Sequence, residues 1–183
     1  WNDNAIKAQI EEVQGRIDAL LAQEGDENWS DIRTEMGHSM EAGCGIYRKE
    51  HEMQDTIEKL AELKKRYKNI SIKDKGKVFN TDLLYAIEVG YGLEVAETMA
   101  HSAILRKESR GAHQRLDEGC TERDDVNFLK HSLAYYNKDA APTIKYSDVT
   151  ITKSQPKARL YGEAAEKAAA AEAEAAKIAE EQA

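Results

Sequence analysis

The chain has 183 residues, 33% of them charged, a formal net charge of −8 and a mean hydropathy of −0.70. That length allows one domain with a real core plus appendages. The acidic balance excludes a broad phosphate-binding surface, so no nucleic-acid partner is expected, and no apolar run is long enough for a transmembrane helix.

The chain opens on Trp1-Asn2-Asp3-Asn4, without an initiator Met, a basic n-region or an apolar h-region. It is expected to be part of a longer polypeptide and not to begin with a signal peptide. Ile6, Ile10, Val13, Ile17, Leu20 and Leu21 recur at steps of three and four, the stripe of an amphipathic helix. "EGDEN" (24–28) breaks that helix, and Asn28 or Ser30 is placed to cap the next. A second stripe runs through Trp29, Ile32, Met36 and Met40 to "EAGCGIYR", where Gly43 and Gly45 bend or interrupt it. It resumes at Met53, Ile57, Leu60, Leu63 and Tyr67, with Lys64, Lys65 and Arg66 suited to a helix C-terminus.

After the polar connection "KNISIKDKGKVFN" (68–80), Asn80 or Thr81 starts a helix to about Lys107 that is apolar around most of its circumference. Such a helix is expected to be packed on most sides, with Leu84 and Ile87 in the core. Gly90 and Gly92 within it are expected to permit close backbone approach. Three long elements with short connections predict a mainly α fold, an up-and-down antiparallel three-helix bundle over residues 1–107.

The stretch "KESRGAHQRLDEGCTERDD" (107–125) holds ten charged side chains and hardly an apolar residue. Its charges suit either a solvated loop or an interface at which Arg forks meet carboxylates. Beyond it, "HSLAYYN" and "TIKYSDVTI" alternate at period two and predict a small β-hairpin, within a C-terminal extension over 108–161. Residues 162–183 form an Ala/Glu-rich tail with strong helix propensity and no apolar stripe apart from Ile178, a solvated or frayed helix.

Candidate chemistry is thin. Cys44 and Cys120 lie far apart and in no CxxC pair, which favours two free thiols. His113, Cys120 and His131 are the nearest approach to a zinc set, but H-x6-C and C-x10-H match no common structural zinc pattern. A Cys120–His113 nucleophile pair is available by residue type alone. "GYG" (90–92) lies mid-helix and follows no strand, so it is neither a dinucleotide fingerprint nor a P-loop.

A resemblance narrows these readings. "HSAILRKESRGAHQRLDEGCTERDDVNFLKHSLAYY" resembles the C-terminal region of the flavoprotein subunit of membrane-bound bacterial fumarate reductase; succinate dehydrogenase flavoproteins share its core "RKESRGAH" followed by Arg115. The likeness extends through "ENWSDIRTEMGHSMEAGCGIYR", "VFNTDLLYAIEVGYGLEVAE" and "YSDVTIT" to Arg159 and Tyr161. It implies a parent that reduces fumarate to succinate with covalently held FAD, fed by quinol through an iron–sulfur subunit. The complex would sit at the cytoplasmic face of the inner membrane, joined indirectly to membrane anchor subunits.

The family's catalytic and flavin-linking segments have no counterpart here, so no catalytic, cofactor-binding or metal residue is assigned. The implied role is a docking domain packed on the flavin-binding domain. Arg110, His113, Arg115, Arg123 and Asp124 would be its interface to that domain or to the iron–sulfur subunit. On that view Arg110→Ala or Arg115→Ala should cost the isolated chain only about 0–1 kcal/mol, as exposed ion pairs do. A succinate dehydrogenase fragment, a free-standing helical adaptor, and a small thiol or metal enzyme using Cys120 and His113 are the alternatives.

Overall fold

A computed structural model of the chain describes residues 2–138, 140–154, 156, 157, 160, 162, 163, 166, 167, 169–171, 174 and 178. It divides into two units, 1–148 and 149–183. In the first, α1 (Asp3–Ala22), α2 (Trp29–Cys44), β1 (Tyr47–Arg48), α3 (Glu50–Tyr67) and α4 (Thr81–Leu105) lead to β2 (Gln114–Arg115). The short helix α5 (Asp125–Phe128) and the strands β3 (Lys130–Tyr135) and β4 (Thr143–Asp148) follow.

Local chemistry sets the boundaries. The side chain of Asn28 accepts from Ser30 N at 2.9 Å to start α2, and that of Asn80 accepts from Leu83 N at 2.7 Å to start α4. α2 ends at Cys44 because Gly45 turns out of the helix, and the chain reverses through β1 into α3. Gly43 makes the reversal tight. A Cβ there would lie 2.1 Å from Thr56 Oγ1, a hydroxyl that donates to the carbonyls of Ser39 and Glu52.

The three-helix bundle is therefore α2, α3 and α4, running up, down and up. Arg66 near the end of α3 donates to both Glu27 and Glu35, while Lys64 pairs with Glu94 and Glu97 on α4. Ile32, Met53, Leu60, Leu63, Val89 and Leu93 form its centre, with Ile70 and Ile72 of the connection closing one end. The interruption at Gly43–Gly45 is a complete turn between two helices and not a bend in one.

The first stripe lies largely outside this core. α1 has no buried residue, and Ile6, Ile10 and Val13 are exposed. Only Leu20 and Leu21 at its end pack on the bundle. That end is held by polar contacts: Gln23 Nε2 donates to the carbonyls of Lys68 and Ile70, and Lys75 Nζ to those of Leu21 and Gln23.

α4 is packed on one side only, against expectation. Its buried residues, Ala86, Val89, Leu93, Ala96, Ala100 and Ala103, follow steps of three and four, and four of the six are Ala. Small side chains let α2 and α3 approach closely. Gly90 lets Tyr67 lie across the helix, where a Cβ would stand 2.6 Å from its hydroxyl, and that hydroxyl donates to Ala86 O. Leu84, Tyr91, Val95 and Met99 on another face are exposed, so Leu84 and Met99 are not core residues; Ile87 is half-buried.

β1 and β2 pair in parallel, Tyr47 with Gln114 and Arg48 with Arg115, a contact of high sequence separation with no signal in the pattern. The hairpin forms as expected, antiparallel from Lys130 opposite Asp148 to Tyr135 opposite Thr143. In the second unit Gly162 adopts φ 58° and its carbonyl accepts from Glu166 N. Trp1, Arg159, Tyr161 and most of the Ala/Glu tail lie outside the described residues; the tail residues described beyond Gly162 are helical and exposed.

Burial orders the expected stabilities. Leu93→Ala should cost about 2–5 kcal/mol, as large-to-small core changes do. Leu84→Ala should stay near or below about 0.5 kcal/mol, as surface changes do. Urea denaturation of the two variants checks this, and the reverse ranking would place the core on the wrong face of α4.

Candidate functional site

The charged stretch is a folded clasp over one end of the bundle. Its local shape comes from glycines at tight turns. Arg110 and His113 exchange backbone hydrogen bonds at 2.8 and 3.1 Å around Gly111, which has φ 60° at the first turn position, where glycine is favoured. Gly119, with φ 77°, turns the chain so that Cys120 N reaches Asp117 O.

Arg115 is fully buried. Its guanidinium donates to the carbonyls of Ile104 and Arg106 at 3.2 and 3.1 Å, to Asp117 Oδ2 at 2.7 Å and to Glu50 Oε2 at 3.4 Å. The first two are carbonyls at the C-terminal end of α4, where a cation satisfies orphan acceptors. Asp117 in turn accepts from Glu50 N at 2.9 Å, an anion at the N-terminus of α3. Ser109 Oγ accepts from Arg115 N and donates to Cys120 O, which fixes the backbone on both sides.

Glu108 is the second buried charge, with a side-chain exposure of 0%. Arg110 reaches it with a fork, Nε at 2.9 Å and a terminal nitrogen at 3.0 Å; Asp124 N donates at 2.8 Å, and Arg106 adds a further bond. Burial alone would raise its pKa, but the bonds from Arg110, Asp124 N and Arg106 outweigh it and hold the carboxyl below the usual range. Arg106 also donates to the carbonyls of Phe128 and Lys130 and lies within 6 Å of the Phe128 and Tyr146 ring centroids, which brings the hairpin to the cluster.

His113 links the clasp to β1. Arg48 donates to its Nδ1 at 2.8 Å, so the ring is neutral there and Nε2–H donates to Arg106 O at 2.9 Å. Burial and the positive charge of Arg48, Arg115 and Arg106 lower its pKa below the ordinary 6.5, against the opposing pull of the Arg106 carbonyl. Arg123 pairs with Asp125, which also accepts from Arg110 at 2.7 Å, and Asp124 caps α5 through Val126 N and Asn127 N.

All five residues singled out from the sequence thus meet in one cluster, and each has a partner within the chain. The expected stability cost of about 0–1 kcal/mol for Arg115→Ala is corrected on this ground: the side chain is inside, where loss of one ionic partner is expensive. Sequence reasoning missed Arg48, Glu50 and the central place of Arg106 and Glu108. One signal existed: Arg106, Glu108 and Arg110 alternate at period two, which sets a carboxylate between two arginines in extended chain.

Beside the clasp lies a depression of about 350 Å³ lined by Cys44, Arg48, Met99, Arg106 and His113 among others. Its cationic side chains are already engaged as described. Cys44 and Cys120 are buried free thiols, and burial pushes the Cys44 pKa up despite Arg48. Among the described residues no three His, Cys, Asp or Glu side chains are placed to share a metal, and no helix is long and apolar enough to cross a membrane.

The fold is a helical bundle closed at one end by a clasp built around one buried arginine, Arg115, and one buried carboxylate, Glu108. The family model for the fumarate reductase flavoprotein C-terminus matches residues 33–161, and the chain belongs to that family. It is 63% identical over 161 residues to the fumarate reductase flavoprotein subunit of Proteus vulgaris, covering 88% of this chain and 27% of that protein. The structure of Escherichia coli quinol fumarate reductase superposes with a TM-score of 0.84 at 61% identity, over 88% of this chain and 28% of that one. A Rickettsia bellii succinate dehydrogenase flavoprotein subunit is more distant, 30% identical over 78% of this chain and 24% of its own length. The chain therefore spans about a quarter of the length of these relatives.

Two outcomes follow from the cluster. Arg115→Ala should destabilise the isolated chain by roughly 3–5 kcal/mol, because it strips a buried ionic network of one partner; denaturant midpoints would show it, and a loss no larger than for an exposed pair would refute the buried assignment. His113 binds its proton less readily folded than unfolded, so its contribution is complete above about pH 6.5 and is lost as pH falls toward the lowered value. Melting temperature should accordingly drop as pH falls below about 6.5, and His113→Gln, which keeps an acceptor and a donor, should flatten that decline.

Proposed function

We propose that the chain is the C-terminal docking domain of a fumarate reductase flavoprotein subunit. The parent would carry electrons from quinol through an iron–sulfur subunit and covalently held FAD to fumarate, giving succinate. Its place would be peripheral, at the cytoplasmic face of the inner membrane, with membrane anchor subunits as indirect partners. The much closer likeness to fumarate reductase than to succinate dehydrogenase subunits supports the direction.

The observation that carries the docking role is the uncovered apolar face of α4. Leu84, Tyr91, Val95 and Met99 succeed one another along the helix and are exposed, as are Ile46, just before β1, and Tyr47 within it. Contiguous apolar surface of this kind marks an interaction site. The clasp would stand at the edge of the same contact, with the half-buried Arg110, His113, Arg123 and Asp124 toward it and Arg115 bracing them from behind.

FAD would be held by the rest of the subunit. The residues here do not fit it: Gly90 and Gly92 lie within α4, and the space beside them is filled by Tyr67 and Met36, so they form no phosphate cradle. The chain's own work is to present a fixed surface.

The test pairs the isolated chain with the full subunit. The chain alone should show no flavin absorbance and no fumarate-dependent oxidation of reduced viologen. Val95→Asp should leave its melting temperature unchanged. In the full subunit the same substitution should lower the yield of flavin-loaded complex by at least about tenfold, because an unpaired carboxylate buried on an apolar face is costly. The complex that does assemble should keep its KM for fumarate. A full yield with a collapsed turnover would assign α4 to the chemistry and defeat the docking role.

A further inference from the structure

The segment before α4 displays the most exposed large apolar side chain among the described residues, that of Phe79. Phe79 is 97% exposed and its neighbour Val78 is 76% exposed. Phe79 is also the one non-glycine residue with positive φ, 53°, among those described. A phenylalanine in that conformation is strained by its own Cβ, and full hydration of its ring gives nothing back.

The strain is held in place and is not a sign of a slack loop. Asn80 Nδ2 donates to the carbonyls of Asp74 and Gly76 at 2.7 and 2.8 Å, and Asn80 Oδ1 caps α4. Asp74 Oδ1 accepts from Gly76 N, and Asp82 Oδ2 accepts from Lys73 N and Asp74 N. Thr81 N donates to Phe79 O at 3.0 Å. Hydrogen bonds on both sides thus fix the backbone while the ring points to solvent. Strain that neighbouring structure maintains is characteristic of binding and switching sites.

We propose that Val78 and Phe79 form a docking knob that seats in an apolar pocket of the remainder of the flavoprotein subunit. This rests on the docking role above and adds to it a specific anchor. Leu84 begins the apolar face of α4 one turn beyond the knob, so the two surfaces adjoin in sequence. A second copy is a poor occupant. Two such side chains meeting their equivalents would bury far less than the roughly 1,200 Å² of a stable dimer. Within one polypeptide, tethering supplies the effective concentration, and a small anchor is sufficient. Relatives more than three times longer than the aligned region provide the chain in which the pocket would lie.

Hydroxyl-radical footprinting, read by mass spectrometry, tests this on the 183-residue chain and on the full-length subunit. Phe79 should be labelled heavily in the chain and at least about tenfold less in the subunit, as a desolvated anchor would be. Tyr91 and Met99 report separately on the face of α4. If they are protected in the subunit while Phe79 is not, the knob is refuted and the docking role stands; if none is protected, both fail. Phe79→Gly provides a second measurement. In the chain it should leave the melting temperature unchanged or raise it, because glycine adopts positive φ without strain. In the subunit it should speed native-state proteolysis within residues 68–80 by about thirtyfold, the loss expected of a hot-spot anchor. Proteolysis no faster than in the unsubstituted subunit overturns the proposal.

Discussion

The guanidinium of Arg115 is the contact on which the arrangement turns. One buried side chain satisfies carbonyls at the end of α4 and, through Asp117, organises the backbone at the start of α3. Neither helix end has such a partner of its own: Lys49 makes no side-chain cap bond, and α4 has no basic residue in its last turn. Five residues of the clasp, His113 to Asp117, thus supply one cation, Arg115, to one helix end and an anion, Asp117, to the other, matching both dipoles.

Buried ions are a costly way to close a bundle, and apolar residues of similar volume could be as stable. What the ionic solution adds is direction. A fork from Arg110 onto Glu108 and the planar contacts of Arg106 with two carbonyls and two rings admit few alternative geometries. The result is a surface held at fixed register on the bundle, with the hairpin attached to it through Arg106. A neutral His113 belongs to the same logic, since a protonated ring would face three guanidinium groups.

α4 carries the division between inside and outside. Four alanines with Val89 and Leu93 on its packed side bring α2 and α3 close, while Leu84, Tyr91, Val95 and Met99 are left on the other side. This inverts the usual expectation that large residues mark the core. It is the distribution that the proposed docking role calls for, with one face of the helix packed within this domain and the other left apolar.

By itself the sequence determined the long helical stretches, the hairpin and the family, and narrowed two caps to Asn28 or Ser30 and to Asn80 or Thr81, because those depend on periodicity, on capping chemistry and on a long ordered run of residues around "RKESRGAH". It also brought five residues of the clasp to notice through their charge. Only the tertiary structure decided which three helices make the bundle, since the stripes of α1 and α2 look alike while α1 lies outside. Only there could the arginines be separated into buried and rim residues. Periodicity states that a side chain has a face; it does not state what lies opposite. The partners of Arg115 and His113, Glu50 and Arg48, are 65 residues away in each case, and pairing over such a distance is set by the fold.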